Sequence, residues 1–123
     1  MTTEQSLSGD AALLRVFIGS RDKVGARSLY EVIVEEAREA GLAGATVYEG
    51  FMGFGANSVV HRTHVWGLSQ DLPIVIELVD EESEICDFLP SLKVLLSGGG
   101  LITLQKVQVL HYQDEKSWLP EAS

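Results

Sequence analysis

The chain has one cysteine, no long apolar run and few positive charges, and each shortage excludes a class of protein. With one cysteine among 123 residues, no disulfide can form within the chain, which is typical of a reducing compartment. No apolar run reaches the roughly 20 residues of a membrane-spanning helix, and the polar N-terminus lacks the apolar core of a signal peptide. We therefore expect a single cytoplasmic domain.

Patterns of known catalytic sites are also absent from the sequence. It contains no Ser-His-Asp arrangement, no Walker loop and no metal-protease spacing. Cys86 has Glu84 and Asp87 beside it, and acidic neighbours disfavour the reactive thiolate. The sequence gives no reason to propose an enzyme, and we expect none.

The charge is negative overall but unevenly distributed. Nine Lys and Arg residues stand against 18 Asp and Glu, and the net charge of −9 argues against nucleic acid as a partner. Residues 50–70 contain no acid, and four cations lie in the first quarter of the chain: Arg15, Arg21, Lys23 and Arg27. These segments suit an anionic ligand, with Arg27 best placed beside a helix N-terminus, or they are simply solvated.

Two glycine runs, Gly53-Phe54-Gly55 and Gly98-Gly99-Gly100, each border a predicted strand. Glycine permits positive φ and a close approach of the backbone to a ligand or another chain. The pairing predicts a small binding module whose ligand lies between loops. The other interpretation is that these glycines only form turns.

Apolar periodicity predicts the order β-α-β-β-α-β, the ferredoxin-like α+β fold with an antiparallel four-stranded sheet and two helices on one face. The predicted strands are 13–18, 45–51, 74–79 and 101–112, and the helices are 27–40 and a second one between Ser83 and Gly98. Residues 1–11 are predicted to be a flexible tail, 12–113 the domain and 114–123 an acidic C-terminal tail. Strands one to three are apolar on both faces, which favours sheet-to-sheet packing in an oligomer.

Three local patterns refine these elements. Ser28 followed by Glu31 predicts a capping box at the first helix. Pro90 predicts a kink or a late start in the second helix, because proline removes an intrahelical hydrogen bond. Lys106 interrupts the alternation of the last strand, which suggests a bulge.

The motifs together resemble those of the PII signalling proteins. The matching stretches are 36–47 followed by Gly53-Phe54-Gly55, then 73–80, and Gly98-Gly99-Gly100 followed by Leu101-Ile102. Residues 13–19, residues 28–31 and the acid-free loop with His61 look more specifically like the uncharacterised PII-like family, the domain of unknown function numbered one hundred and ninety. The resemblance covers nearly all of residues 13–112.

The resemblance implies a homotrimer with ligand clefts between subunits. An adenine nucleotide is the implied ligand, bound through the glycine runs and the residues that follow the first of them, Ala56 and Asn57. It also implies that a mobile loop carrying His61, Arg62, His64 and Trp66 engages a partner, for which a membrane transporter or channel is a candidate.

Three cationic contacts of the PII nucleotide site have no counterpart at the matching positions. Ala56-Asn57 replaces Arg-Gln, Leu101 replaces a phosphate-binding Lys, and residues 109–112 lack the Arg-x-Arg pair. Charge-assisted hydrogen bonds are about twice as strong as neutral ones, so other cations must substitute if phosphate binds. The available ones are Arg21, Lys23, Arg27 and Arg62.

Two alternatives remain open. His61 and His64 are three residues apart, a spacing that can place both on one helical face, and with His111 they would serve a metal-binding or small catalytic protein. The other alternative is a structural trimer without a ligand.

Overall fold

The computed structural model describes residues 10–55, 61–62 and 71–113. Its elements, in chain order, are β1 (Asp10–Gly19), β2 (Lys23–Val24), β3 (Arg27–Ser28), α1 (Leu29–Glu39), β4 (Gly44–Glu49), β5 (Met52–Gly53), β6 (His61–Arg62), β7 (Pro73–Glu81), α2 (Glu82–Leu95) and β8 (Leu101–Gln108). No helix in the described part of the chain is long and apolar enough to span a membrane.

The main sheet has the strand order β4-β7-β1-β8, and every pair in it is antiparallel. The two long strands β1 and β7 are central, and β4 and β8 form the edges. With α1 and α2 packed on one face, this is the predicted ferredoxin-like α+β fold, which confirms the fold class. The short hairpins β2–β3 and β5–β6 are additions to it.

The core lies between the sheet and the two helices. Alternate residues of the central strands are buried there, and directly paired ones such as Leu14 with Leu78 and Val16 with Ile76 share this face. The helices contribute Leu29, Ile33 and Ala37 from α1 and Ile85, Phe88 and Leu92 from α2. Fully burying one such large apolar side chain stabilises the fold by about 1.5–3 kcal/mol, so this layer holds the domain together.

The other sheet face, which we call the open face, is not covered by either helix of the described chain. Leu13 and Val75 are half-buried there, Phe17 is 36% exposed and Tyr48 is 46% exposed. The second apolar face of β1 is therefore only partly buried in the isolated chain. The packing of this face in an oligomer stays a prediction.

The strand ends differ from the predicted ones. β1 begins at Asp10, so the last two residues of the predicted tail belong to the sheet, and residues 1–9 and 114–123 lie outside the described part. β8 ends at Gln108 instead of residue 112. Its register with β1 runs without interruption past Lys106, which pairs with Ala12, so the predicted bulge is wrong. Lys106 is tolerated because this part of the edge strand is exposed to water.

Both helix starts also differ from the predictions. α1 begins at Leu29 because Arg27–Ser28 pairs with β2. Ser28 is the N-cap residue but makes no side-chain capping bond, so the capping box is wrong. α2 runs from Glu82 through Pro90, so the late start is wrong too. Pro90 and Cys86 are exposed, and water can therefore bond the carbonyl that loses its partner.

Asp80 is buried, with 5% of its surface exposed, and connects two junctions of the fold. Its Oδ2 accepts a hydrogen bond from the Ala43 N–H over 2.9 Å, and its Oδ1 accepts one from the Glu81 N–H over 2.6 Å. The carboxylate therefore joins the turn after α1 to the start of α2.

Replacement of this carboxylate is expected to destabilise the domain. Asp80→Ala leaves the Ala43 N–H without its acceptor and should lower the free energy of unfolding by about 1–3 kcal/mol. Urea denaturation at fixed protein concentration measures the change. The exposed Asp87→Ala is the matched control, and equal midpoints for the two variants would contradict this role for Asp80.

Candidate functional site

The two glycine runs lie at the same end of the sheet. β4 ends at Glu49, which pairs with Ile74, and leads into the first run. The second run leads into β8, whose first residue Leu101 pairs with Phe17 near the end of β1. We call this end of the sheet, where β1 finishes at Gly19, the glycine end.

The runs are nevertheless at opposite edges of the sheet. β4 and β8 are the outermost strands, with β7 and β1 between them. Three strand spacings of about 4.8 Å separate them by about 14 Å. One copy of the chain therefore does not bring the two runs together into one compact site.

Close packing explains one of the two glycines in the first run, Gly53. A Cβ on Gly53 would lie 3.1 Å from Cγ of Pro73, whereas one on Gly55 would meet no described atom within 4 Å. Neither residue has positive φ. Met52–Gly53 pairs with His61–Arg62, and Phe54 beside it is 72% exposed. Ala56 and Asn57 lie outside the described residues.

The second run needs glycine for its backbone conformation. Gly99 has φ 123° and Gly100 has φ 148°. A Cβ on Gly100 would also lie 2.7 Å from Cδ2 of Leu96, whereas Gly98 has open space around it. Gly99 and Gly100 therefore have a structural role, and Gly98 and Gly55 are the sterically unconstrained members of the two runs.

Sequence reasoning missed a set of contacts at the glycine end. The Ser20 N–H donates to the Leu72 carbonyl over 2.8 Å, and the Leu72 N–H donates to Ser20 Oγ over 2.9 Å. The Arg21 N–H donates to Asp71 Oδ1 over 3.0 Å. Gly19 leaves room for this carboxylate, which a Cβ would displace. No local motif signals these contacts, because about 50 residues of chain separate the partners.

Arg27 does not lie at an open helix N-terminus. Its guanidinium makes two bonds to Glu35, over 2.9 and 2.6 Å. The hydrogen bond from Arg27 lowers the pKa of Glu35 below its ordinary value. Arg27 is thus paired within the chain, and its contact with a ligand stays a prediction. Arg21 and Lys23 are exposed, and their side chains have no partner among the described residues.

A chain of side-chain hydrogen bonds crosses the open face from edge to edge. We call it the polar row: Gln105, Arg15, Glu77 and Tyr48, one residue from each strand of the main sheet. Arg15 donates from Nε to Glu77 Oε2 over 3.0 Å and from Nη1 to Gln105 Oε1 over 3.0 Å. Tyr48 donates to Glu77 Oε2 over 2.9 Å. The bonds from Tyr48 and then Arg15 hold the pKa of Glu77 below its ordinary value.

The histidines are not brought together in the described part of the chain. His61 pairs with Gly53 near the glycine end, and its side chain is not described. His111 lines a cavity of about 450 Å³ at the other end of the sheet, with Gly44 and Val79. His64 and Trp66 lie outside the described residues. Residues 10–55 and 71–113 contain no group of three metal-ligating side chains suited to an ion.

Residues 11–109 match the protein family DUF190, whose description is "Uncharacterized ACR". A UPF0166 protein of Aquifex aeolicus is 35% identical over 99 residues, which are 80% of this chain and 92% of that protein. These matches cover nearly the whole described domain.

Solved structures of PII-like proteins have the same fold as this chain. The chain is similar to CPII, a nitrogen regulatory PII-like protein from Thiomonas intermedia K12 solved with ADP, AMP and bicarbonate, with a TM-score of 0.64 and 17% identity over 83% of this chain and 90% of that chain. It is also similar to the GlnK–ATP complex of B. subtilis, with a TM-score of 0.53 and 15% identity over 83% of this chain and 85% of that chain. The chain therefore shares the fold of these two proteins.

Substitutions in the second glycine run should distinguish a glycine that the fold requires from one that it does not. Gly100→Ala meets both a positive φ and Leu96, and we expect it to lower the free energy of unfolding by about 1–3 kcal/mol. Gly98→Ala has no such conflict and should change it by less than about 0.5 kcal/mol. Chemical denaturation of both variants tests this, and equal losses would contradict it.

The polar row predicts an acid-sensitive contribution to stability. The pKa of Glu77 is depressed in the folded state, so its contribution is present above the ordinary pKa of Glu and is lost as the pH falls through the folded value. Glu77→Gln should cost about 1 kcal/mol at pH 7, and the difference from wild type should shrink below about pH 4. Thermal unfolding across this range measures it. A difference that is independent of pH would contradict the assignment.

Proposed function

Because the chain belongs to the DUF190 family and has the PII-like fold, we propose that it is a regulatory protein that binds an adenine nucleotide between copies of itself. Three copies form a ring, and each cleft takes one glycine run from each of two neighbours. Binding at the glycine end changes the engagement of a partner protein by the segment between Gly55 and Asp71. No catalysis is part of this proposal.

The position of the glycine runs carries the proposal. They share one end of the sheet but lie about 14 Å apart within one copy, at its two edges. If the β4 edge of one copy adjoins the β8 edge of the next, the two runs meet. Such a head-to-tail contact uses two different surfaces, and when the rotation closes it produces a ring. The number three comes from the resemblance to PII proteins.

Charge and backbone chemistry favour a phosphate ligand. Glycine-rich backbone presents N–H groups that can surround an anion. Arg21 and Lys23 follow the end of β1 at the glycine end and have no partner among the described side chains, whereas Arg27 is held by Glu35. We therefore expect Arg21 and Lys23 to replace the cations that PII proteins have elsewhere. The nucleotides bound to CPII and GlnK support an adenine nucleotide as the ligand.

A signalling role requires that the ligand distinguish two states of the partner-binding segment. That segment begins after β5 and ends just before β7, both at the glycine end, so its base adjoins the proposed cleft. A ligand shifts the population of states only by as much as its affinities for them differ. Partner binding should therefore change nucleotide affinity by the same factor as nucleotide changes partner binding. A membrane transporter or channel is the partner that the resemblance favours.

A subunit-mixing experiment tests the shared cleft. Gly55→Asp and Gly98→Asp add a carboxylate at sterically open positions, so both variants should fold. Each alone should weaken ADP binding at least tenfold in calorimetry, because the added charge repels phosphate. In an equal mixture about a quarter of the clefts receive the intact run from each neighbour, so that fraction of wild-type binding should return.

Two controls make the result decisive. Ser91→Asp adds the same charge on the exposed surface of α2 and should leave ADP affinity unchanged. Remixing is done after reversible dissociation, with the mixed mass confirmed by native mass spectrometry. Defective binding in both variants without recovery in mixed assemblies would contradict a cleft shared between copies. Wild-type affinity in both variants would contradict a ligand at the glycine runs.

A further inference from the structure

The polar row is unusual because it lies in the middle of an apolar surface. On one side of it, in the direction of the glycine end, the open face carries Phe17 and Val75. On the other side it carries Leu13 and Val79. An apolar surface of this kind is suited to burial against another protein. Once it is buried, every polar atom of the row needs a hydrogen-bonding partner.

The row has hydrogen-bonding capacity that the described residues do not use. A guanidinium has five N–H donors, and the bonds of Arg15 to described residues use its Nε and Nη1. Both bonds to the Glu77 carboxylate go to Oε2, which leaves Oε1 without a partner among the described residues. The open face therefore presents donors of a cation beside an oxygen of an anion, none of which is paired by a residue that the structure describes.

We propose that the polar row is a self-recognition element, in which Arg15 of one copy bonds Glu77 Oε1 of the next when open faces pack together. This inference rests on the assembly proposed above. A second copy is the partner that fits, because the same face supplies both the missing acceptor and the missing donors. A purely apolar partner would leave these groups buried and unpaired, at a cost that disfavours it.

Charge reversals distinguish this role from a bond that acts only within one chain. Arg15→Glu makes the row doubly acidic, and Glu77→Arg makes it doubly basic. Each variant alone should fail to self-associate, because like charges face one another both within and between copies. A mixture should partly recover assemblies that contain both variants, since two of the three contacts in a mixed ring then join an acidic row to a basic one, whereas a ring of one variant has three like-charged contacts.

Native mass spectrometry of each variant and of the equal mixture gives the readout. Arg38→Glu and Glu31→Arg are the matched controls, because they make the same charge changes on the exposed surface of α1. The controls should assemble as the wild type does, and their mixture should show no preference for mixed assemblies. We expect mixed species to be the main oligomers for the row variants and homo-oligomers of either to be at least tenfold rarer.

A milder pair keeps the test valid if the reversals impair folding. Arg15→Gln and Glu77→Gln remove the charge without creating repulsion, and each should raise the dissociation constant of the assembly at least tenfold. Unchanged dissociation constants, or reversals that assemble alone as readily as in the mixture, would overturn the inference and leave the proposed assembly intact. A monomeric wild-type protein at micromolar concentration would overturn the proposed assembly as well.

Discussion

Burial of one sheet face beneath the two helices is the constraint on which the rest of the structure depends. The central strands β1 and β7 direct alternate residues into that layer, and their unbroken register decides which residues those are. A shift by one residue would move the whole apolar set to the other face. Because the helices cover one face, the other is left for Arg15, Glu77 and their apolar neighbours.

The same topology separates the glycine runs within one copy, so the proposed nucleotide site requires two copies. The edge positions of β4 and β8 follow from the crossover connections of the fold, which place β7 and β1 between them. The two runs also differ in the structural reason for their glycines. Gly53 avoids the ring of Pro73, whereas Gly99 and Gly100 adopt backbone conformations that other residues rarely take. Gly55 and Gly98 have neither constraint among the described residues.

Long-range contacts account for most of what sequence reasoning missed. The periodicity of apolar residues predicted both helices and all four strands of the main sheet. It did not predict that Arg27 pairs with Glu35, because that pair depends on the β2–β3 hairpin, which keeps Arg27 out of α1. The contact between Asp71 and the turn at Gly19 was missed for a similar reason, since no local pattern joins residues so distant in the chain.

The sequence by itself determined the fold class, the family and the approximate position of each main element, because alternation and helical spacing are local consequences of burying one face. Only the tertiary structure decided that Asp80 joins two junctions, that no bulge interrupts β8 at Lys106, and that a polar row crosses all four strands of the main sheet. These features depend on strand order and register. Order and register bring together side chains from distant parts of the chain, and local propensities do not specify them.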